Sequence, residues 1–572
     1  MFKSSIPARG IRAIAVAGLL CFGAVAVAEM PKQTLGDLVR AGKRDSVLAA
    51  ITSPDVNVNE KAPDGSTALM WAAFNADRDL VRALLKAGAK ADVTSSYGAT
   101  ALSEAIKLDD IEMVRTLLDA GANVNSPNLD NQTALMLGIS GGSLPIAKLL
   151  IERGADVNAV ETFRGQNALM WAAGTNQPDT VDLLLAHGAK NVNLRAKFDD
   201  WPRQQTSEPR AQYQSRQTGG LTALLYATRS GCLRCAQSLV KAGADVNKPN
   251  PDGITPLLNA LDNKRFDLAM FLLDKGANPN VWDMNGRTPV YMAIDMNSFR
   301  GGGGFGGGGR NGFPAPEGDA ENQAAASKTT ALDVARRLID MGVDVNHQLT
   351  RKRPYGAGRG RFQDYDMRGG AGPLFVAALS NDYDAMQLLL AHGAEVDLDN
   401  VLQMTPLMIV AGMRGTGRAA GGGGAGPGGG DPQARTIKSI DLLLDAGADI
   451  NARVTNSRTH TAKIMAYVQG RDQEGRTALF AAAEAGSDKV VKHLLERGAD
   501  PTLRDAAGKT ALDAARAPPA AGPGNGAAGG DGGERAAAAR KAAKDATIAM
   551  LEAVTPKTAP GQNAASPAAA AK

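Results

Sequence analysis

Apolar positions along this chain fall into a recurring pair of short helical patterns. From Ser66 to Ala73, the residues Ala68, Leu69, Met70, Ala72 and Ala73 make a nearly continuous apolar run behind a polar Thr67. A few residues on, Val81, Leu84 and Leu85 recur at three- and four-residue spacing, which is one buried stripe on a second helix. Thr67 is an N-cap by type, and Gly88 stands where a helix ends in the left-handed conformation that glycine adopts at least cost. The Ala-Ala pair keeps the first helix slim, so close packing against a neighbour is expected. A turn residue such as Gly65 or Gly98 then closes a hairpin-like finger between one unit and the next.

The same phrase returns along most of the chain. Its turn positions fall at Gly65, Gly98, Asn131, Gly165, Gly220, Gly253, Gly286, Gly370, Gln403, Gly475 and Gly508. Several of these lie 33 residues apart, and the remaining intervals are that unit lengthened by insertions. A shortened unit from Thr34 to Asn59 precedes them. One unit cannot bury its own stripe, so neighbours must stack into a continuous core. The expected fold is an all-α solenoid, with a helix-turn-helix and a β-hairpin-like finger in each repeat.

By period and by motif the chain resembles the ankyrin-repeat family. The carriers are STALMWAA (66–73), QTALM (132–136), QNALMWAA (166–173), ITPLLNA (254–260), MTPLM (404–408) and RTALFAAA (476–483), with LLDAGANVN and LLIERGADVN closing two of the units. The resemblance covers about residues 34–555. It departs from the family at one position. The His that usually follows Thr-Pro-Leu is Met70, Met136, Met170 or Met408 here, and Leu225, Leu258 or Tyr291 elsewhere. Apolar packing is expected to replace an inter-loop hydrogen bond there, since Met fills irregular gaps. The resemblance implies a curved array whose fingers and short helices line a groove for protein ligands. Carried over by position, Phe74, Asn75, Lys107, Leu108, Thr175, Arg229, Asp262, Asn263, Asp295 and Glu484 would face that groove.

Insertions fall at two places in the unit. Phe299–Thr329, Arg414–Arg435 and Pro518–Gly533 lie between the two helices and are rich in Gly, which makes coil the default. Leu194–Gly219, His347–Gly369 and Ala452–Glu474 lengthen the fingers and carry large side chains among many Arg and Lys. Trp201, Tyr213, Tyr355, Phe362 and Tyr365 are therefore candidate contact residues, because variable loops on one face of a repeat array often build its binding face. Neutral drift is the competing account, since lengthening a surface loop costs little entropy.

The first residues address the chain. Lys3, Arg9 and Arg12 precede an apolar run from Ala13 to Val27, and Ala26-Val27-Ala28 is a small-x-small cleavage site. That reads as a signal peptide and places the mature protein in the periplasm or outside the cell. Leu20 before Cys21 argues against a lipoprotein site, and no later stretch reaches the ~20 apolar residues of a membrane helix. The layout read from the sequence is a leader at 1–28, an N-terminal capping repeat at 29–64 and an array at 65–507. Insertions interrupt that array at 194–219, 299–329, 347–369, 414–435 and 452–474. A C-terminal capping repeat at 508–555 and a disordered tail at 556–572 complete the chain.

Charge and candidate chemistry narrow the function. The formal net charge is +4, and loss of the three leader cations leaves about +1, too little for a chain built to wrap nucleic acid. The Arg/Gly/aromatic runs FRGGGGFGGGGRNGF and RKRPYGAGRGRF resemble RNA-binding tracts and keep a polyanion binder as the alternative. Cys232 and Cys235 leave three readings open: buried free thiols, a structural disulfide or a redox pair. No HExxH, GxSxG or P-loop occurs, and the five histidines are scattered, so no catalytic set, cofactor or metal site is read. The expected role is a monomeric, exported scaffold for a protein partner, with service to a periplasmic enzyme as its leading specific form. Nucleic acid is disfavoured as a partner.

Overall fold

Most short helices begin at a Thr whose hydroxyl accepts the N–H three residues on. Thr67 takes that of Met70 (3.4 Å), Thr100 that of Ser103 (3.0 Å) and Thr255 that of Leu258 (3.3 Å). Several of the longer helices begin instead at an acid or Ser: Asp77 caps Leu80 (2.9 Å), Asp110 caps Met113 (3.0 Å) and Ser143 caps Ile146 (3.4 Å). Each cap satisfies a helix-end donor that has no partner within the helix.

The computed structural model describes residues 34–198, 219–283, 286–298, 328–350, 370–413, 431–455, 473–517 and 531–556. Twelve helix pairs follow one another in these residues, from Leu35–Arg40 with Arg44–Ala50 to Ala511–Arg516 with Asp531–Val554. Counting that first pair as repeat one, Ala68–Phe74 and Arg78–Lys86 form repeat two. The short inner helices stack on one another through small residues such as Ala72, Ala73, Ala172 and Ala173, all fully buried. Met70, Met136, Met170 and Met408 are buried as expected of core residues. One apolar cluster runs from Leu35 to Leu551. Among the described residues the fingers hold two isolated bridges, Val160 with Asn167 and Phe198 with Gly219, and no longer strand.

All eleven turn positions adopt positive φ, including Asn131 (58°) and Gln403 (56°). At Gly98 a second requirement applies, because a Cβ there would stand 2.8 Å from the backbone of Asn128 in the next finger. Glycine supplies both the conformation and the clearance.

The finger insertions leave the stack undisturbed because each is tied off at its base. An ordinary finger closes with Ser95 N–H on the Ala99 carbonyl and Gly98 N–H on that of Ser95. Leu349 and Ala371 with Gly370, and Val454 and Arg476 with Gly475, repeat that closure across two of the insertions. In the third, Ala196 bonds Leu221 and Gly220 bonds Lys197. Leu194–Phe198 therefore belongs to a regular finger, and the added chain at 199–218 leaves from its tip. Two boundaries between helices also move. The helix Pro432–Asp445 starts within 414–435, capped by Asp431 on the Gln433 N–H (3.0 Å), and the last outer helix starts at Asp531.

Most neighbouring repeats are clamped by the Asn that closes a unit, although Asp92 and Thr502 stand at that place in repeats two and eleven. The Asn125 amide donates to the Gly154 carbonyl (3.0 Å) and its oxygen accepts the Asp156 N–H (2.8 Å). Asn59, Asn158 and Asn247 do the same to the repeats after them, and Asn193 and Asn346 do so across insertions. At position 397 the residue is Asp. Its Oδ2 accepts the Asp449 N–H (2.9 Å), while its buried Oδ1 has no partner among the described residues. An ionised carboxylate has no proton to give the carbonyl that an Asn would reach.

Burial holds the Asp397 carboxyl above the usual range, opposed by the Asp449 N–H and assisted by the Asp449 charge. The folded protein therefore binds this proton more readily than the unfolded chain does. Stability at this site is fullest below the unfolded-chain value and is lost as pH rises through the folded one. Asp397→Asn is expected to gain about 1 kcal/mol at neutral pH, from the restored hydrogen bond. Urea melts should show that gain shrinking as the sample is acidified; a gain that grows in acid contradicts the account.

Candidate functional site

Two rows of side chains run along the face made by the inner helices. One row contains Trp71, Trp171 and Tyr226; the other, three residues on, falls at Phe74, Lys107, Gly174, Arg229, Asp262 and Glu484. The first half of the array leaves its large groups open. Phe74 is 56% exposed and meets Trp71 edge-on at 5.6 Å, while Leu108 is also exposed. Lys107 is exposed and pairs with Glu104 (2.8 Å), and Thr175 turns its hydroxyl back to the Trp171 carbonyl (2.8 Å). Asn75 is exposed but donates to the Val39 carbonyl (3.3 Å) of the preceding repeat. Arg229 lies over the Tyr226 ring at 4.8 Å.

The second half consumes its charges internally. Asp262 accepts from Arg287 (3.1 Å), which also bonds the buried Asp283 (2.6 Å), and Glu484 accepts from Arg476 (2.9 Å). Asn263 is half-buried and bonds Asn259 (2.8 Å). Asp295 does not face the groove: it is 2% exposed. Its helix, Pro289–Ser298, runs longer than the other inner helices, and Asn297 and Ser298 bond Asp382 (2.7 and 3.0 Å). The extra turn puts Asp295 inside the helix rather than at its free end. Trp201, Tyr213, Tyr355, Phe362 and Tyr365 lie outside the described residues.

The regular fingers carry contact residues that the repeat pattern does not flag. Tyr97 and Leu129 are each 72% exposed, and Phe163, Phe198 and Trp282 also stand out from the fingers. The signal available was a large apolar residue one or two places before a turn position, as at Tyr97, Leu129 and Phe163. These tips are held rigidly. The Ser96 N–H bonds the Asp64 carbonyl (2.9 Å), Thr162 bonds Asp130 (2.6 Å) and Lys197 bonds Arg164 (2.7 Å), so these three fingers are each tied to the one before. The Glu161 carboxylate accepts the N–H groups of Phe163 (2.7 Å), Arg164 (2.8 Å) and Gln166 (2.8 Å). Large apolar groups on a fixed backbone are what a partner protein can use.

Cys232 and Cys235 are joined as a disulfide. Cys232 occupies the cap position that Asp77, Asp110 and Ser143 hold elsewhere, and its sulfur accepts the Cys235 N–H at 3.1 Å. Both residues are buried, so no thiolate can approach either sulfur in line without local opening. Among the described residues no group of three or more His, Cys, Asp and Glu could hold a metal, and no helix is long and apolar enough to cross a membrane.

Clamped helix pairs with projecting fingers define a repeat solenoid whose exposed groups suit contact with another macromolecule. The chain belongs to the ankyrin-repeat family. The family model for ankyrin repeats in three copies matches residues 35–128, 123–196, 224–300 and 433–515, and the single ankyrin repeat matches 369–401. Such repeats generally mediate protein–protein interaction. Comparison with curated proteins gives no match.

The Arg287 triad separates structure from recognition in this face. Arg287→Gln removes the cation that Asp283 holds inside the protein, and breaking a buried pair costs about 3–5 kcal/mol. Urea unfolding should register that loss. A variant as stable as the parent would contradict the structural role assigned to this arginine.

Proposed function

We propose that this protein is an exported scaffold that holds a protein ligand against the fingertips and inner helices of its first six repeats. The observation that carries the reading is the run of exposed Tyr97, Leu129 and Phe163 on successive fingers, with the Tyr97 and Phe163 fingers each bonded through backbone to the finger before. Aromatic anchors held in place before binding lose little entropy on complex formation. The basic, apolar and small-residue succession before Glu29 supports export, and a buried disulfide fits an oxidising compartment. An enzyme of that compartment is the partner proposed, with the repeats serving it rather than performing its chemistry.

Affinity capture with the tagged mature chain from an exported fraction, read by mass spectrometry, identifies the ligand. Intact mass should place the N-terminus at Glu29; exported material retaining residues 1–28 contradicts processing. Tyr97→Ala with Phe163→Ala should then weaken ligand binding at least tenfold, about 1.4 kcal/mol, with thermal stability unchanged. Replacing 199–218 by a short turn should also weaken binding while sparing the stack. If all these variants hold the ligand as tightly as the parent, the finger reading fails.

A further inference from the structure

We infer that repeats five and six form a cationic, aromatic seat for an acidic segment of the protein ligand. The inference rests on the scaffold reading and names the chemistry of its partner. Repeat five comprises Ala168–Gly174 and Pro178–Ala186, and repeat six Ala223–Ser230 and Leu233–Lys241.

Three observations meet at this point. The first is an indole without an acceptor. Trp71 and Trp171 occupy the same place in their units, and Trp71 donates its ring N–H to the Ser66 hydroxyl at 3.0 Å. In repeat five the residue equivalent to Ser66 is Gln166, whose amide is committed to the Tyr226 hydroxyl. The Trp171 ring N–H is left buried with no partner among the described residues. A buried donor in that state favours any ligand oxygen that can reach it.

The second observation is a pair of arginines without carboxylates, a state that Arg40, over the Trp71 ring, shares in repeat one. Arg78, Arg153, Arg234, Arg287, Arg476 and Arg497 all pair with an Asp or Glu. Arg164 and Arg229 pair with none among the described residues. Glu161, the acid nearest Arg164 in sequence, is occupied by the N–H groups of its own finger. Each guanidinium lies instead at a ring, Arg164 at Phe163 (5.7 Å) and Arg229 at Tyr226 (4.8 Å). Removal from water draws Arg229 below the usual arginine value, the Tyr226 phenol opposes that, and the charge of Arg164 adds to it. Two cations thus repel across a gap that an anion would relieve.

The third observation is a missing side chain. Where repeats two and three present Phe74 and Lys107, repeat five has Gly174, and a Cβ there would lie 3.3 Å from the Tyr226 ring. The glycine lets Tyr226, which carries Arg229 over its ring, pack against the end of the helix that holds Trp171. A guanidinium fork matches a carboxylate, and the rings beneath suit the apolar stem of Glu or a neighbouring aromatic. A phosphate backbone would demand a longer track of cations than these two.

The test uses the full mature chain and a fluorescein-labelled peptide alternating Glu with Phe, read by anisotropy. The expected result is binding that weakens with salt and is lost when Lys replaces Glu in the peptide. Arg164→Gln and Arg229→Gln should each weaken it at least about tenfold. Arg234→Gln, on an outer helix and paired with Asp179, should leave it unchanged. Trp171→Phe keeps the ring and removes the donor, and should weaken binding where Trp71→Phe does not. Thermal melts establish that each variant is folded. No binding of the acidic peptide, or binding indifferent to both arginines, overturns the inference. Tighter binding of heparin or a single-stranded oligonucleotide at the same arginines also overturns it, by assigning the seat to a polyanion. A captured protein ligand that holds the double arginine variant as tightly as the parent, yet is lost with Tyr97→Ala and Phe163→Ala, removes the acidic seat and leaves the scaffold reading standing.

Discussion

The array depends on a side-chain amide that closes most of its units. An outer helix ends with a carbonyl that has no partner within it, and the chain beyond offers an N–H in the same state. The Asn closing the preceding unit satisfies both, as Asn125 does with Gly154 and Asp156. A carboxylate can accept but cannot donate, which is why Asp397 makes only half of the clamp. The clamp joins backbone to backbone through the next repeat, so it fixes spacing as well as supplying energy. Apolar burial alone is nondirectional and would tolerate slippage between such similar surfaces.

With the spacing fixed at helix ends and finger bases, the remaining parts of the unit are free to vary. Insertions occur between the helices or at the tips of fingers, both beyond the bonds that close a unit. Asn193 and Asn346 reach across inserted chain to the same kind of glycine carbonyl as Asn59 does. The cost of an added loop is then mainly chain entropy, which grows slowly with length.

The inner-helix face is divided by how its charges are spent. Arg287 and Arg476 turn inward toward Asp262 and Glu484, so repeats seven to eleven neutralise much of what they display. Repeats two to six place Phe74, Tyr97, Leu129 and Phe163 in the open, and leave Arg164 and Arg229 on aromatic rings. A partner gains from groups that have not already been satisfied internally. The exposed large apolar groups are therefore concentrated in the first half of the array.

The sequence by itself determined the fold, because every requirement of the unit is local. A Thr cap, an apolar stripe, a terminating Gly and a turn residue each act within a few positions, and all eleven turn positions do have left-handed backbone. The family, too, was legible from those residues. The tertiary structure decided which exposed positions are free. Whether Asp262 faces a ligand depends on Arg287 in the next repeat, and whether Asp295 is open depends on how far its helix runs. The seat around Trp171 needs Gln166, Gly174 and Tyr226 to be brought together from two repeats. Periodicity describes what repeats share, whereas these contacts arise where neighbouring units differ, and only stacking sets one difference against another.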